Sequence, residues 1–236
     1  MFRVLKQGKA LAQEIMDRDE KFLETLDPKG DPILHFYEWE GPSATYGYFV
    51  DPQKFFHLEK VKDRGLRLGR RPTGGGIVFH IWDLAFSFLM PSSHPKFSLN
   101  ALENYRFVNQ VVLDAVSVVF PLKAMTLTPD PFTELSPECR NFCMAKPTEY
   151  DVIYEGRKIA GAAQRKKKQG YLHQGTISLG WPDMELLQEV ILSKSVLEAM
   201  LSHTFAPLGT SYTPQALQQA REAIQEALIC KFRDTL

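Results

Sequence analysis

Excess charge is the first thing this sequence lacks. Its 28 Lys and Arg residues match its 28 Asp and Glu over 236 residues. Such a balance offers no general attraction for polyanions, so neither nucleic acid nor a membrane is an expected partner. Long apolar runs are also missing. No stretch approaches the ~20 residues a spanning helix needs. The opening MFRVLKQGKALAQEIMDRDEKF has no apolar core of the signal-peptide kind. Cysteine is scarce, with only Cys139, Cys143 and Cys230. The first two are four apart, but no second pair or nearby histidine completes a zinc set, so no metal site is expected. Without an export signal, free thiols in a cytoplasm are the expectation. Internal repeats and low-complexity linkers are absent as well. What remains is an ordinary globular composition, 44% hydrophobic and 24% charged, at a length suited to one core.

The periodicities outline the elements. Residues 9–26 read as an amphipathic helix, with Leu11, Ile15, Phe22 and Leu26 on one face. PILHFYEWE (32–40) alternates and reads as a strand, and ATYGYFV (44–50) as a second. GIVFHI (76–81) and LAFSFLM (84–90) give two more, joined by Trp82-Asp83. Residues 98–120 read as a long helix capped by Ser98. The stretch 127–149 holds four prolines and reads as a long loop, a kind of segment that often carries function. Residues 150–179 read as a β-meander with turns at Glu155-Gly156 and at a basic run. Residues 184–203 read as one helix. Another starts at Thr213-Pro214 and runs through Leu217, Ala220, Ile224 and Leu228. Strands flanked by helices without strict alternation predict an α/β or α+β sheet in a single domain, 1–236, with a helical tail from about 205.

Three stretches carry chemistry. In GRRPTGGGIVFH (69–80), Gly74, Gly75 and Gly76 leave the backbone bare, and successive N–H groups there can cradle an anion. Arg70 and Arg71 add forked donors suited to phosphate or carboxylate. The spacing fits neither a P-loop nor a dinucleotide fingerprint. A flexible hairpin with solvated arginines is the alternative. His80 reads as a base or as a hydrogen-bonded core histidine. In GRKIAGAAQR, Lys158 stands on a strand followed by the small residues Ala160, Gly161 and Ala162. A half-buried lysine keeps its charge only beside an anionic partner; a snorkelling surface lysine is the other reading. Cys143 lies in the proline-rich loop between Arg140 and Lys146, cations that would favour its thiolate. A small buried hydrophobe explains it equally. The basic run QRKKKQG (164–170) is a solvated turn or a docking patch for an acidic protein surface.

Together these motifs resemble the lipoate-protein ligase and octanoyltransferase family, the biotin/lipoate-protein ligase catalytic domain. FYEWEGPSATYGYF (36–49), RRPTGGGIVFH (70–80), KIAGAAQR (158–165) and LHQGTI (172–177) match its motifs in order. The resemblance implies a mixed, largely antiparallel sheet packed with helices, of the class II synthetase-like kind. It implies transfer of a lipoyl or octanoyl group to a lysine of a lipoyl-domain protein, such as the glycine cleavage H protein or a 2-oxoacid dehydrogenase acyltransferase subunit. It assigns Cys143 and Lys158 as catalytic. It assigns Arg70, Arg71, Thr73, Gly74, Gly75, Gly76, His80, Gly161, Ala162, Ala163 and Gly175 to substrate binding.

The family has two branches. Its ligases use ATP with Mg and form lipoyl-adenylate; its transferases need no cofactor and take octanoyl from acyl carrier protein or an H protein through a cysteine thioester. Cys143, followed by Pro147 and then Tyr150-Asp151 before the lysine motif, resembles the cysteine-type transferases. HIWDLAFS (80–87) departs from the Asp-Gly-Asn that ligases often carry after the histidine, and the chain stops short of the extra C-terminal domain of many ligases. Gln174 stands where a histidine is often seen, so the resemblance gives His173 no role. The expectation is a transferase acting through Cys143. An ATP-dependent lipoate ligase and a non-catalytic binder of lipoyl proteins stay beside it as alternatives.

Overall fold

The computed structural model describes residues 2–129, 142 and 147–236. Its strands form in part on β-branched and aromatic runs. They are β1 (Arg3–Ala10), β2 (Ile33–Trp39), β3 (Ser43–Tyr46), β4 (Arg67–Arg70), β5 (Ile77–His80), β6 (Asp83–Pro91), β7 (Thr126–Leu127), β8 (Val152–Tyr154), β9 (Arg157–Lys167) and β10 (Gly170–Ser178). The helices are α1 (Ala12–Glu24), α2 (Leu58–Asp63), α3 (Ala101–Val119), α4 (Met184–Val190), α5 (Lys194–His203) and α6 (Pro214–Thr235). The main sheet has seven strands in the order β1-β2-β6-β10-β9-β8-β7, and a smaller one has the order β4-β3-β5. Pairing is parallel at β1–β2 and β3–β4 and antiparallel elsewhere. The mixed, largely antiparallel architecture is as expected, but it is divided over two sheets. No helix among the described residues is long and apolar enough to cross a membrane.

Several boundaries differ from the sequence reading, each for a local reason. Residues 3–10 form a strand where none was expected, and α1 starts only after Leu11. Strand β1 is half-exposed and polar, and its backbone pairing with β2 fixes it rather than its side chains. Helix α3 starts at Ala101 because Asn100, not Ser98, is the N-cap, accepting from Leu102 N at 3.0 Å. Ser98, two residues earlier, instead accepts from Asn100 N on its Oγ. The single helix expected over 184–203 is two helices. Ile191 leaves the helix to bridge Phe56, and Leu192 N donates to Phe55 O at 3.0 Å. Helix α2 and strand β4, in a polar stretch, went unread.

Helices α3 and α6 cover the main sheet. Val112, Val116, Ile224, Leu228 and Phe232 pack against Phe36, Phe86 and Phe88 of the strands. The C-terminal helix thus buries the Leu217-Ala220-Ile224-Leu228 stripe that its spacing predicts, and it belongs to the main core. A second cluster joins the small sheet to α4 and α5 through Phe56, Ile77, Phe79, Phe142, Leu187 and Val196.

One buried group sets a pH dependence. His173 on β10 is fully enclosed, and its Nε2 has no partner among the described residues. Burial pushes its imidazole down to about 3. Between that value and the ordinary ~6.5, the unfolded chain binds a proton that the folded chain refuses. Stability is therefore full above ~6.5 and falls as the pH falls towards 3. In urea unfolding at about pH 7.5 and pH 5, His173→Leu is expected to lose about 2 kcal/mol less between the two conditions than the parent. Equal losses would show that His173 is not held neutral.

Candidate active site

Register brings the quoted motifs together. Strands β9 and β10 pair antiparallel with Gly161 opposite Thr176, Ala162 opposite Gly175 and Ala163 opposite Gln174. These backbones form one wall of a narrow cleft that leaves about 20 Å³ free. Met16 and Tyr37 line it, together with Arg71, His80 and Lys158. Of the residues the resemblance assigned, Arg71, His80, Lys158, Gly161, Ala162, Ala163 and Gly175 therefore meet around one space.

The glycine loop is tied down from within. Arg71 Nη2 donates to Gly76 O at 2.6 Å and to Gly74 O at 3.2 Å, and its Nη1 donates to Thr45 Oγ1 at 2.7 Å. This buried arginine shapes the loop as a clamp on its carbonyls. Gly75 has φ +82°, which favours glycine. The neighbouring strand also needs a glycine: a Cβ at Gly47 would run into Gly75 O and the Gly74 backbone. Gly74 has open space on its Cβ side. Thr73 Oγ1 donates to Gln174 Oε1 at 2.7 Å, and Gln174 Nε2 donates to the buried Asp19 at 2.7 Å. Asp19 also accepts from Ser87 Oγ and pairs with His35 at 2.9 Å. Arg70 stands at the rim instead, with its guanidinium 4.9 Å from the Tyr48 ring centre.

His80 is fixed on both nitrogens. Its Nδ1 lies 2.7 Å from Asp83 Oδ2 and its Nε2 lies 2.7 Å from Thr45 Oγ1. With Nδ1–H directed to the Asp83 carboxylate, a neutral imidazole accepts the Thr45 hydroxyl proton on Nε2. Trp39 stacks on the imidazole at 4.3 Å, and Thr176 Oγ1 donates to the same Asp83 oxygen at 2.6 Å. The turn carrying this pair is held by Arg221 of α6, which donates to Ile81 O and Asp83 O, both at 2.8 Å.

Lys158 has the anionic partner that a buried strand lysine requires. Its Nζ is 2.7 Å from Asp151 Oδ2, with side chains 3% and 0% exposed. Asp151 also accepts from Thr148 N and Oγ1, at 2.6 and 2.9 Å, and from Tyr105 Oη at 2.6 Å. A Cβ on Gly161 would strike Lys158 Cε and Nζ and Asp151 Oδ1. What packs against the small-residue backbone is thus the lysine's own head group. Gly175 makes comparable room for the Phe86 ring.

The basic turn is largely paired. Arg165 meets Glu20 at 2.8 Å, Lys167 meets Glu24 at 2.9 Å, and Lys166 Nζ donates to Leu99 O at 2.7 Å. Cys143, with Arg140 and Lys146, lies outside the described residues. Its sequence neighbour Phe142 is buried and bridges Ile77, the residue after the glycine loop. Tyr105, Asp151, Thr45, Asp83 and Gln174 were not assigned from sequence. Only Asp151, in the Tyr-Asp before the lysine motif, carried any signal.

Residues 12–204 match the family described as Lipoyl protein ligase A/B catalytic domain. The chain is 33% identical over 177 residues to Octanoyltransferase LipM of Staphylococcus aureus, covering 74% of this chain and 64% of that protein. It is 35% identical over 175 residues to Octanoyltransferase LipM of Geobacillus kaustophilus, covering 73% and 63%. These matches span just under two thirds of those relatives' length. A solved structure from Thermoplasma acidophilum, of a bi-partite lipoate protein ligase and its E2 lipoyl domain, aligns with TM-score 0.71 at 21% identity, covering 100% of this chain and 84% of that chain. At that identity the likeness concerns the fold.

The glycines around the loop have separable roles. Gly47→Ala is expected to cost more than ~2 kcal/mol, because rigid backbone must move. Gly74→Ala should be neutral or stabilising by up to ~1 kcal/mol. Urea unfolding of the two variants checks this; equal effects would refute the clamp geometry.

Proposed function

Because the chain belongs to the Lipoyl protein ligase A/B catalytic domain family, we propose that it transfers an octanoyl group to a specific lysine of lipoyl-domain proteins through a thioester on Cys143. The observation that carries this reading is the bridge between Phe142 and Ile77, which ties the residue before Cys143 to the strand leaving the glycine loop. The octanoyltransferases among its relatives support the same assignment. The acyl chain would occupy the cleft beside Met16, Tyr37 and Val78. Cys143 would attack the donor thioester. Lys158, whose ammonium sits at the cleft, would stabilise the oxyanion that forms. Glycine cleavage H protein and the acyltransferase subunits of 2-oxoacid dehydrogenases are the proposed acceptors, with acyl carrier protein or an H protein as donor.

On the ATP-dependent reading Arg70, Arg71 and the glycines would hold the adenylate, and Lys158 would contact its phosphate and the acyl carbonyl. Of these, the Arg71 guanidinium donates to Thr45 and to two loop carbonyls, which supports a scaffold role for that residue.

Intact-mass spectrometry separates the two. Incubation with octanoyl-acyl carrier protein should add an octanoyl group to the enzyme and then to a lipoyl domain. The adduct should map to Cys143, not to the exposed Cys230 on α6. Cys143→Ala should abolish transfer. Modification of the lipoyl domain by lipoate plus ATP, unaffected by Cys143→Ala, would overturn the proposal.

A further inference from the structure

The cleft leaves about 20 Å³ free, room for about one water molecule and not for an octanoyl chain. Protein interiors are close-packed, so a side chain must move before such a chain can enter. Most of the lining is fixed. Gly161, Ala162, Ala163 and Gly175 have no rotamer to change. Thr45, Arg71, His80 and Lys158 are held by the partners already described. Thr176 Oγ1 donates to Asp83, and the Gln174 amide is bonded at both ends, to Thr73 and to Asp19. The Tyr37 hydroxyl meets Ser87 Oγ at 3.4 Å, and its ring stands edge-on to His35 and Trp39. Val78 is β-branched and stiff. Among the described residues of the lining, Met16 of α1 is the exception. Its sulfur is a weak acceptor 3.3 Å from Gln174 Nε2, which has its shorter bond, 2.7 Å, to Asp19. An unbranched side chain with three rotatable bonds repacks easily.

Register places Met16 at one end of the space. Gly161, against the Lys158 head group, lies opposite Thr176. Ala163 lies opposite Gln174, two residues along β10 and about 7 Å away. Gln174 is the residue that Met16 touches, so Met16 closes the end of the cleft away from Lys158. We propose that Met16 is a specificity-determining residue: its side chain fills the far end of the cleft, swings aside for the methyl end of the acyl chain, and by its size limits the length of chain accepted. This rests on the transferase reading, in which the acyl carbonyl lies at Lys158. A thioether side chain and an acyl chain are both unbranched, so one can take the space that the other leaves. Met16 acts on which acyl group binds, and it takes no part in the bonds made and broken.

Competition reads chain length directly. The full chain is given equimolar hexanoyl-, octanoyl- and decanoyl-acyl carrier protein, and the acyl groups reaching a lipoyl domain are weighed by intact mass in the parent, Met16→Ala and Met16→Phe. Ratios within one sample cancel any general loss of folded enzyme. Met16→Ala should raise decanoyl over octanoyl at least about tenfold, and Met16→Phe should raise hexanoyl over octanoyl by a similar factor. A second measurement reads Met16 in the parent itself. With the methionine methyls labelled with carbon-13, the Met16 signal should shift when octanoate is added. Its loss in Met16→Leu, a swap that conserves volume, identifies it. Folded variants with the parent's product ratios overturn the proposal. Where neither variant folds, a Met16 signal unchanged by octanoate overturns it. A parent that transfers no acyl group overturns the transferase reading, and the methyl signal then judges Met16 alone.

Discussion

A lysine ammonium buried against a sheet must meet a counter-charge, and much of this site follows from meeting that requirement at Lys158. Removing one member of such a pair typically costs about 3–5 kcal/mol, because the other is left buried and unpaired. The surrounding residues are accordingly constrained. Gly161 leaves room for the ammonium and for Asp151. Tyr105 reaches from α3 to join the carboxylate to the β9 backbone. Thr148 closes the remaining side with its N–H and hydroxyl. One ion pair thereby fixes the relation of a helix, a strand and the segment that enters β8.

Two other buried carboxylates act on the opposite wall in the same manner. Asp83 holds His80, His80 holds Thr45, and Thr45 shares Arg71 with the glycine-loop carbonyls. Asp19 holds Gln174, which holds Thr73 at the start of the loop. Each chain of hydrogen bonds ends on a charge out of water, where such bonds are strong and an unpaired group is costly. The cleft's shape is therefore set by polar posts, and its apolar lining fills the space between them. A site built this way has little freedom to rearrange its polar side chains.

The parts of the fold that depend on local pattern are legible in the sequence. The β-meander over 150–179, the Thr213-Pro214 helix start and the buried stripe of α6 all follow from spacing and turn chemistry. The requirement of an anionic partner for Lys158 also followed from the residue type, although not which anion. The parts decided by distant contacts stayed hidden. Nothing within residues 184–203 says that Ile191 must leave its helix, because the reason is Phe56. The two arginines of the glycine motif look equivalent in sequence. Only the fold turns Arg71 inward to Thr45 and leaves Arg70 over Tyr48 at the rim. The small residues after Lys158 were legible as a close approach, but the approaching group was the lysine itself.

The family match ends at residue 204, yet the site is held from beyond it. Arg221 binds the carbonyls of Ile81 and Asp83, the two ends of the turn that carries His80 to its carboxylate. Its helix reaches that position because Leu217, Ala220, Ile224 and Phe232 are buried in the main core, on the face away from solvent. The same burial that stabilises α6 therefore delivers a forked donor to the turn between β5 and β6, where it meets two nearby carbonyls. A guanidinium can satisfy both at once, and an ammonium cannot do so with the same geometry. The C-terminal helix is thus coupled to the His80 side of the cleft through backbone rather than through side-chain packing, and its sequence beyond the buried stripe is constrained at Arg221.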